Sequence, residues 1–265
     1  MSPPVKKRGY TSVPLSFARK MVIASISGNK KNAIHCVTEI DVTEPRKRIR
    51  EYLDESGVRI SFTAYLVRCL ARSLEDHPGL NSFIRGRKLV LLDDLTISVL
   101  VERDLGKEMA PEPVGIREAQ NKKLRQIHNE IREAQKMEGD QLGNLSGSTW
   151  IRLIPAFLLK TFIMVADRNI SLAKKYGKVA VTAVGMFSKS ATWFIPHGTA
   201  TVLLTVGGIS KKTIETGEGF VSKEYLNITA SFDHEIVDGA PAARFMKQFS
   251  ELVESGNLLI PEELN

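Results

Sequence analysis

Cysteine is nearly absent from this sequence, which has only Cys36 and Cys69 among its 265 residues. Two thiols provide no disulfide framework, and they lack the close spacing of a metal-ligand cluster. We therefore expect a cytoplasmic protein, in a reducing compartment, without a bound metal. A signature of a nucleic-acid-binding module is also missing, so nucleic acid is not an expected partner.

Long uninterrupted hydrophobic runs are missing as well. The first ten residues contain no apolar segment of the kind that directs secretion. The most apolar stretch spans residues 150–166, but Arg152 and Lys160 interrupt it and it is too short to indicate a membrane span. Three interpretations of this stretch stay open: a core helix, a helix in contact with a membrane surface, or a cover over a channel to the functional site.

The charge balance favours an anionic partner. The chain has 37 basic and 30 acidic residues, which gives a net charge of +7. The basic residues alternate with acidic ones along most of the chain, so the sequence predicts a solvated surface with a mild preference for anionic partners. A composition of 43% hydrophobic and 25% charged residues is typical of a globular protein.

The hydrophobic periodicity predicts an α/β protein. Helices are predicted over residues 15–26, 43–53, 62–74, 115–138 and from residue 241 onward. Strands are predicted over residues 35–42, 88–92, 95–101 and 226–232. Thr43 and Ser61 are expected to cap helices, and Gly57 to end one. Residues 1–12 are expected to form a flexible basic arm.

The most informative segment runs from Asn227 to Phe245. Its first half alternates apolar and polar residues, as a half-buried strand does, and its second half has helical spacing. Between the two halves, His234 is followed by Asp238 and Gly239 on a turn. An imidazole held at the end of a strand near a carboxylate is a candidate general base.

This segment resembles the C-terminal signature of the acyltransferase (E2) catalytic domain of 2-oxo-acid dehydrogenase complexes, Asn-x-Thr-x-Ser-x-Asp-His-Arg-x-x-Asp-Gly-Ala. Chloramphenicol acetyltransferase shares the His-x-x-x-Asp-Gly core. Further motifs that resemble the family's occur in its order at residues 13–20, 35–43, 77–81, 183–187 and 205–211. The resemblance implies a chloramphenicol acetyltransferase-like α/β fold, in which a mixed sheet has helices packed mainly on one face. It assigns residues 13–265 to a single catalytic domain.

The resemblance also implies the roles of two catalytic residues. His234 is the expected base, which takes a proton from the attacking thiol and later returns one to the leaving thiolate. The hydroxyl of Thr182 is the expected hydrogen-bond donor to the tetrahedral oxyanion, although a threonine at that position is also typical of a strand without catalytic function. By analogy with the family, the two side chains come from adjacent subunits of a trimer.

Three further residues are expected to support the site. Asp238 is implied to form a buried ion pair with Arg19, whose loss would cost about 3–5 kcal/mol. Gly239 is expected to adopt a backbone conformation that a Cβ atom would oppose. Asn227 is expected to form hydrogen bonds within its strand.

The implied reaction is the transfer of an acyl group between coenzyme A and a dihydrolipoyl thiol. The implied partners are two further copies of the chain, a larger cage built from such trimers, and a lipoyl-bearing protein. Two alternatives stay open. The acceptor could be a hydroxyl or amine of a small molecule or lipid, or the chain could be a non-catalytic trimeric scaffold.

The sequence departs from the family pattern in three respects. No lipoyl domain precedes residue 13, so the lipoyl group is expected in trans, on another polypeptide. Glu235 stands where the family has arginine, which puts the positioning of coenzyme A in doubt, and Thr182-Ala183 replaces the family's Ser-Asn. Residues 139–178 form a longer and more apolar insertion than the family's linker.

Overall fold

The fold is given by a computed structural model, which describes residues 5–7, 9–12, 15, 17–28, 31–104, 109–136, 156–185, 188, 190–217 and 219–264. Part of the predicted insertion and part of the motif at residues 183–187 lie outside the described residues. Within the described part, ten strands form three antiparallel or mixed sheets, and eight α-helices pack around them.

The strands and helices alternate only in part along the chain. The strands are β1 (Val5–Lys7), β2 (Tyr10–Ser12), β3 (Ala33–Asp41), β4 (Ser82–Arg85), β5 (Lys88–Leu91), β6 (Ile97–Asp104), β7 (Met109–Ile116), β8 (Val179–Ala183), β9 (Val202–Thr216) and β10 (Gly219–Asp233). The helices are α1 (Phe17–Gly28), α2 (Thr43–Ser56), α3 (Phe62–Glu75), α4 (Leu124–Lys136), α5 (Ala156–Asp167), α6 (Ile170–Tyr176), α7 (Gly239–Ser255) and α8 (Pro261–Leu264).

The central sheet is mixed, as the resemblance implies. Its strand order is β3-β10-β9-β8-β6-β7. Strand β8 runs parallel to both β6 and β9, and the other neighbours are antiparallel. One face carries the apolar residues of the alternating pattern and packs against α2, α3, α4 and α7. The expectation of a mixed sheet with helices on one face is therefore confirmed.

The opposite face of the central sheet carries polar side chains, and we call it the second face. Its members alternate with the apolar core residues along each strand, because successive side chains of a strand point to opposite sides. The residues of the second face on β8, β9 and β10 are Ala180, Thr182, Leu203, Thr205, Asn227, Thr229, Ser231 and Asp233. This face, together with the adjoining strand ends, contains the candidate site residues on the sheet.

The strands predicted from the periodicity include β3, β6 and β10 of the central sheet but not β7, β8 or β9. Residues 109–116 form the edge strand β7, whereas the sequence pattern placed the start of a helix at residue 115. Pro111 and Pro113 cannot donate backbone hydrogen bonds, which argues against an interior strand and fits an edge. Strand β4, which lies outside the central sheet, was not predicted either. The helix predicted over residues 115–138 begins at Leu124 instead.

Helix termini follow the predicted chemistry with one exception. Ser61 caps α3 by accepting a hydrogen bond from the N–H of Ala64 at 3.2 Å, and Gly57 ends α2 with φ of 68°. Thr43, however, is the first residue of α2 rather than its cap, because its hydroxyl donates to Asp41 Oδ1 at 2.6 Å. The predicted basic arm also differs, since β1 and β2 pair as a short hairpin.

The segment that follows β8 passes so close to strand β9 that the residues at the crossing must be glycine. A Cβ atom on Gly207 would lie 2.1 Å from the carbonyl oxygen of Thr192, and one on Gly185 would lie 1.6 Å from the carbonyl oxygen of Gly207. Real Cβ atoms do not approach backbone so closely, so the glycines at this crossing are steric requirements. The motifs at residues 183–187 and 205–211 therefore meet each other in space.

Candidate active site

The turn that carries His234 is fixed to two neighbouring segments by backbone hydrogen bonds. The N–H of Asp233, the last residue of β10, donates to the carbonyl of Thr201 at 3.0 Å. The N–H of His234 donates to the carbonyl of Asn32 at 2.7 Å, and the N–H of Val237 closes the turn onto the carbonyl of Asp233 at 2.9 Å. The strand-turn-helix arrangement predicted for this segment is therefore what the chain forms.

The imidazole of His234 is oriented by a second contact within the turn. Its Nδ1 atom lies 3.1 Å from the carbonyl oxygen of Val237. A carbonyl oxygen can only accept a hydrogen bond, so Nδ1 carries the proton in the neutral ring and Nε2 keeps its lone pair. The side chain is 45% exposed. The orientation therefore suits Nε2 to take a proton from a ligand.

Asp238 lies close to this imidazole but is not buried. Its Oδ1 is 3.8 Å from Nδ1 of His234, and its side chain is 87% exposed. Arg19, on α1, is exposed too. Asp238 lies at the surface, where it is the cap residue of α7. In the single chain, the expectation that Asp238 and Arg19 form a buried pair is therefore wrong. The loss of about 3–5 kcal/mol expected for a buried pair does not apply.

Gly239 does not need to be glycine for the fold of the single chain. It is the first residue of α7, its φ lies outside the left-handed region, and a Cβ atom there would meet no heavy atom within 4 Å. The expected conformational requirement is therefore wrong. Any L-residue can adopt the helical backbone conformation of Gly239. The sequence motif alone does not reveal that this residue is helical.

Thr182 lies in the middle of the central sheet, far from His234 of the same chain. The register places Thr182 beside Thr205, and Thr205 beside Thr229, so three threonines form one row across β8, β9 and β10. His234 follows Thr229 by five residues along β10, which corresponds to roughly 17 Å at about 3.4 Å per residue. The single chain therefore does not bring the predicted base and the predicted hydroxyl together.

Several buried polar groups near this row have no hydrogen-bond partner among the described residues. They are Thr205 Oγ1, Thr229 Oγ1 and both amide atoms of Asn227. Asn227 is fully buried beside the bulge in β10, and its side chain does not form the strand hydrogen bonds that were expected. Buried polar atoms normally find a partner, so water, ligand or another protein surface is expected against this part of the second face.

A cavity of about 590 Å³ lies beside the catalytic turn. Its walls include Ile26 of α1, His197 of the loop before β9, and Lys31 and His35 at the start of β3. Ser231 forms part of its floor, and its hydroxyl lies 2.8 Å from Nδ1 of His35. The sequence pattern does not predict this cavity, because its residues come from three separate stretches of the chain, residues 25–35, 196–203 and 231–233.

The described part of the predicted insertion contains helix α5 and the short helix α6, and α5 carries its most apolar stretch. Helix α5 packs against α1, but Leu158, Phe162 and Val165 are 49%, 57% and 64% exposed. The interpretation of a core helix is therefore wrong for the described single chain. Within the described ranges, we find no helix of the length and hydropathy needed to cross a membrane and no cluster of metal-ligating side chains.

Comparison with known proteins places these features in one family. The model of the 2-oxoacid dehydrogenases acyltransferase (catalytic domain) family matches residues 7–148 and 173–260. The unmatched segment between them, residues 149–172, contains all of α5. The match therefore covers the turn of His234, the row that contains Thr182 and most of the central sheet, and it leaves only residues 149–172 of the predicted insertion outside.

Two proteins to which the chain is similar are acyltransferase components of dehydrogenase complexes. The lipoamide acyltransferase component of the branched-chain alpha-keto acid dehydrogenase complex of Bacillus subtilis is 23% identical over 95% of this chain and 54% of its own length. The dihydrolipoyllysine-residue acetyltransferase component of the pyruvate dehydrogenase complex of Staphylococcus epidermidis is 25% identical over 95% of this chain and 53% of its own length. The chain thus spans about half the length of these two relatives.

A solved structure shows the same fold. The cubic core of a pyruvate dehydrogenase multienzyme complex matches with a TM-score of 0.69 and 19% identity, over 98% of this chain and 100% of that one. The family match extends over most of the chain and includes both halves of the candidate site. The chain belongs to the family of 2-oxoacid dehydrogenase acyltransferase catalytic domains.

Proposed function

We propose that this chain is the catalytic unit of an acyltransferase that moves an acyl group between coenzyme A and a dihydrolipoyl thiol, with His234 as the general base. The observation that carries this proposal is the imidazole orientation, in which Nδ1 donates to Val237 and Nε2 keeps its lone pair. Family membership and the names of the relatives support the choice of substrates.

The proposed reaction needs no covalent enzyme intermediate. Nε2 of His234 takes the proton from the attacking thiol, and the resulting thiolate adds to the thioester carbonyl. A tetrahedral intermediate forms, with the negative charge on the former carbonyl oxygen. When it collapses, the carbon–sulfur bond to the leaving thiolate breaks and the imidazolium returns the proton to that thiolate. The same residue therefore serves both directions of the transfer.

The oxyanion of this intermediate needs a hydrogen-bond donor within about 3 Å. We assign that role to the hydroxyl of Thr182 from a second copy of the chain, since Thr182 and His234 of one copy lie roughly 17 Å or more apart. The assembly is then a homotrimer with a site at each interface. The cubic core to which the fold is similar supports symmetric assembly and extends the proposal to a cage.

The carriers are proposed to arrive from outside the chain. Coenzyme A supplies or receives the acyl group as a substrate, and a lipoyl group attached to a separate protein supplies the second thiol. We assign one of the two thiol arms to the cavity that Lys31, His35 and His197 line, because it adjoins the backbone of the catalytic turn. Free dihydrolipoamide is expected to substitute for the protein-bound carrier at high concentration.

Replacement of Glu235 by arginine should tighten the binding of acyl-coenzyme A. Glu235 is exposed beside the base, and its carboxylate repels the phosphates of coenzyme A. Reversal of an exposed charge at such a site is worth well under 1 kcal/mol per interaction, so we expect the KM for acyl-coenzyme A in Glu235→Arg to fall about threefold at low salt. The difference should shrink at high salt, and a KM that rises or ignores salt would contradict this explanation.

The proposed function is tested by the release of free coenzyme A from acetyl-, propionyl- and longer acyl-coenzyme A with dihydrolipoamide as acceptor. We expect turnover that depends on both substrates, and the preferred donor identifies the acyl group. If coenzyme A is released only when a hydroxyl or amine acceptor is present, that acceptor replaces the dihydrolipoyl thiol in the proposal. A folded trimer without turnover on any pair of substrates would favour the scaffold.

A further inference from the structure

A buried ion pair links the inserted helix to the sheet. The Nζ atom of Lys178, just before β8, donates to Oδ1 of Asp167 at 2.7 Å and to the backbone carbonyl of Asp167 at 2.5 Å. Asp167 is the last residue of α5, in the segment that the family model does not match. The two side chains are only 6% and 14% exposed. One partner of this pair therefore lies outside the segments that the family model matches, and the other lies inside them.

A second buried ion pair lies on the catalytic turn itself. The ammonium of Lys31 is 2.7 Å from Oδ2 of Asp233, and the side chains are 18% and 4% exposed. The other carboxylate oxygen of Asp233 accepts the N–H of Glu235 at 3.2 Å. Asp233 precedes His234 directly, so the position of the imidazole depends on where this carboxylate is held.

The two pairs are connected through the backbone. The carbonyl of Lys178 accepts the N–H of Thr201 at 2.7 Å, and the carbonyl of Thr201 accepts the N–H of Asp233 at 3.0 Å. The charges also interact. Burial lowers the pKa of Lys178, Asp167 raises it, and smaller effects come from Lys31, which lowers it, and Asp233, which raises it. Two cations and two carboxylates thus form one partly buried cluster behind the turn.

We infer that Lys31 is a positioning residue for His234, and that Asp167 of the inserted helix supports it by holding Lys178 away from Asp233. The inference rests on the proposed function, because it concerns the same catalytic base. Loss of Lys31 leaves the buried carboxylate of Asp233 without its ion-pair partner, so the carboxylate turns toward the remaining cation. Loss of the Asp167 charge leaves the buried ammonium of Lys178 with neutral acceptors such as the backbone carbonyl of residue 167, so its attraction to Asp233 then competes with that of Lys31.

Both changes displace the turn rather than remove a reacting group. The thiol, the thioester carbon and Nε2 must lie within a few tenths of an ångström of the reactive geometry, and small displacements lower the rate strongly. Lys31 lines the cavity assigned to a thiol arm, but its ammonium is paired with Asp233, so in this inference neither Lys31 nor Asp167 holds the phosphates of coenzyme A. The expected signature is therefore a lower kcat with an unchanged KM for acyl-coenzyme A.

The test compares kcat and KM of the full chain with acyl-coenzyme A and dihydrolipoamide for four variants. Lys31→Met and Asp167→Asn each remove one charge and nearly preserve shape, and we expect kcat to fall about tenfold with KM within twofold of wild type. Lys31→Arg restores a cation that can bind Asp233, and we expect at least half of the wild-type kcat. Lys247→Met is the matched control, because Lys247 lies in an exposed pair with Glu251 on α7.

The outcomes separate this inference from the proposed function. Wild-type kcat in either Lys31→Met or Asp167→Asn overturns the inference, as does a loss in Lys31→Arg as large as that in Lys31→Met. A wild-type protein without dihydrolipoamide-dependent turnover defeats the proposed function instead. If Lys31→Met does not fold, Asp167→Asn with the same kcat and KM criteria decides the matter.

Discussion

Replacement of His234 by alanine is expected to lower kcat by about 10²–10⁴-fold, the contribution of a positioned general base. Without Nε2 the attacking thiol must lose its proton to water, and the leaving thiolate must regain one from water. The KM for acyl-coenzyme A should change little, because the role proposed for the imidazole is at the reacting sulfur rather than at the nucleotide. The kinetics of acyl transfer to dihydrolipoamide check both expectations.

The thermal stability of this variant separates chemistry from folding. The side chain of His234 is 45% exposed and makes one hydrogen bond, to Val237. We therefore expect the melting temperature of His234→Ala to lie close to that of wild type, since substitutions at exposed positions change stability by about 0.5 kcal/mol or less. A variant that keeps wild-type kcat would remove His234 from the mechanism.

Replacement of Thr182 by valine should be the second most damaging change. Valine keeps the β-branched shape that a strand favours and removes only the hydroxyl. Loss of one oxyanion donor typically lowers kcat by about 10²–10³-fold. Thr182→Ser keeps the hydroxyl and is expected to retain most of the activity, so the kcat values of the two variants provide a matched comparison.

The alternative interpretation of Thr182 makes the opposite prediction. If Thr182 only fills a strand position, valine is a good substitute, because it has higher strand propensity and no unpaired hydroxyl. Thr182→Val would then retain its kcat and could gain stability. If kcat depends on the shape of the side chain at position 182 and not on its hydroxyl, the oxyanion has no assigned hydrogen-bond donor.

The parts of the site that the sequence predicts are those built from neighbouring residues. His234 lies on its turn because β10, the turn and α7 are consecutive, and each has its own local signal. The crossing of Gly185 and Gly207 joins two distant motifs, but both were recognisable as separate matches to the family. Local pattern and resemblance were therefore sufficient for the fold and for the strand-turn-helix arrangement that carries His234.

The parts that the sequence did not predict depend on burial or on contacts between distant segments. The pairing of Lys31 with Asp233 has no local signal, since both residues lie in ordinary polar stretches. Pro111 and Pro113 concealed an edge strand, because proline is unfavourable in the interior of a sheet. The resemblance also suggested a buried Asp238, whereas this residue lies at the exposed start of α7.

The central claim is that the base and the oxyanion donor of each site come from different copies of the chain. Co-expression of His234→Ala with Thr182→Val tests it directly, because a trimer that contains both variants can combine an intact histidine from one with an intact threonine from the other. Random assembly of equal amounts makes about one quarter of the sites complete. We predict about a quarter of the wild-type activity from the mixture and near-background activity from each variant alone. A mixture that stays as inactive as its components, in trimers shown to contain both chains, would contradict the account.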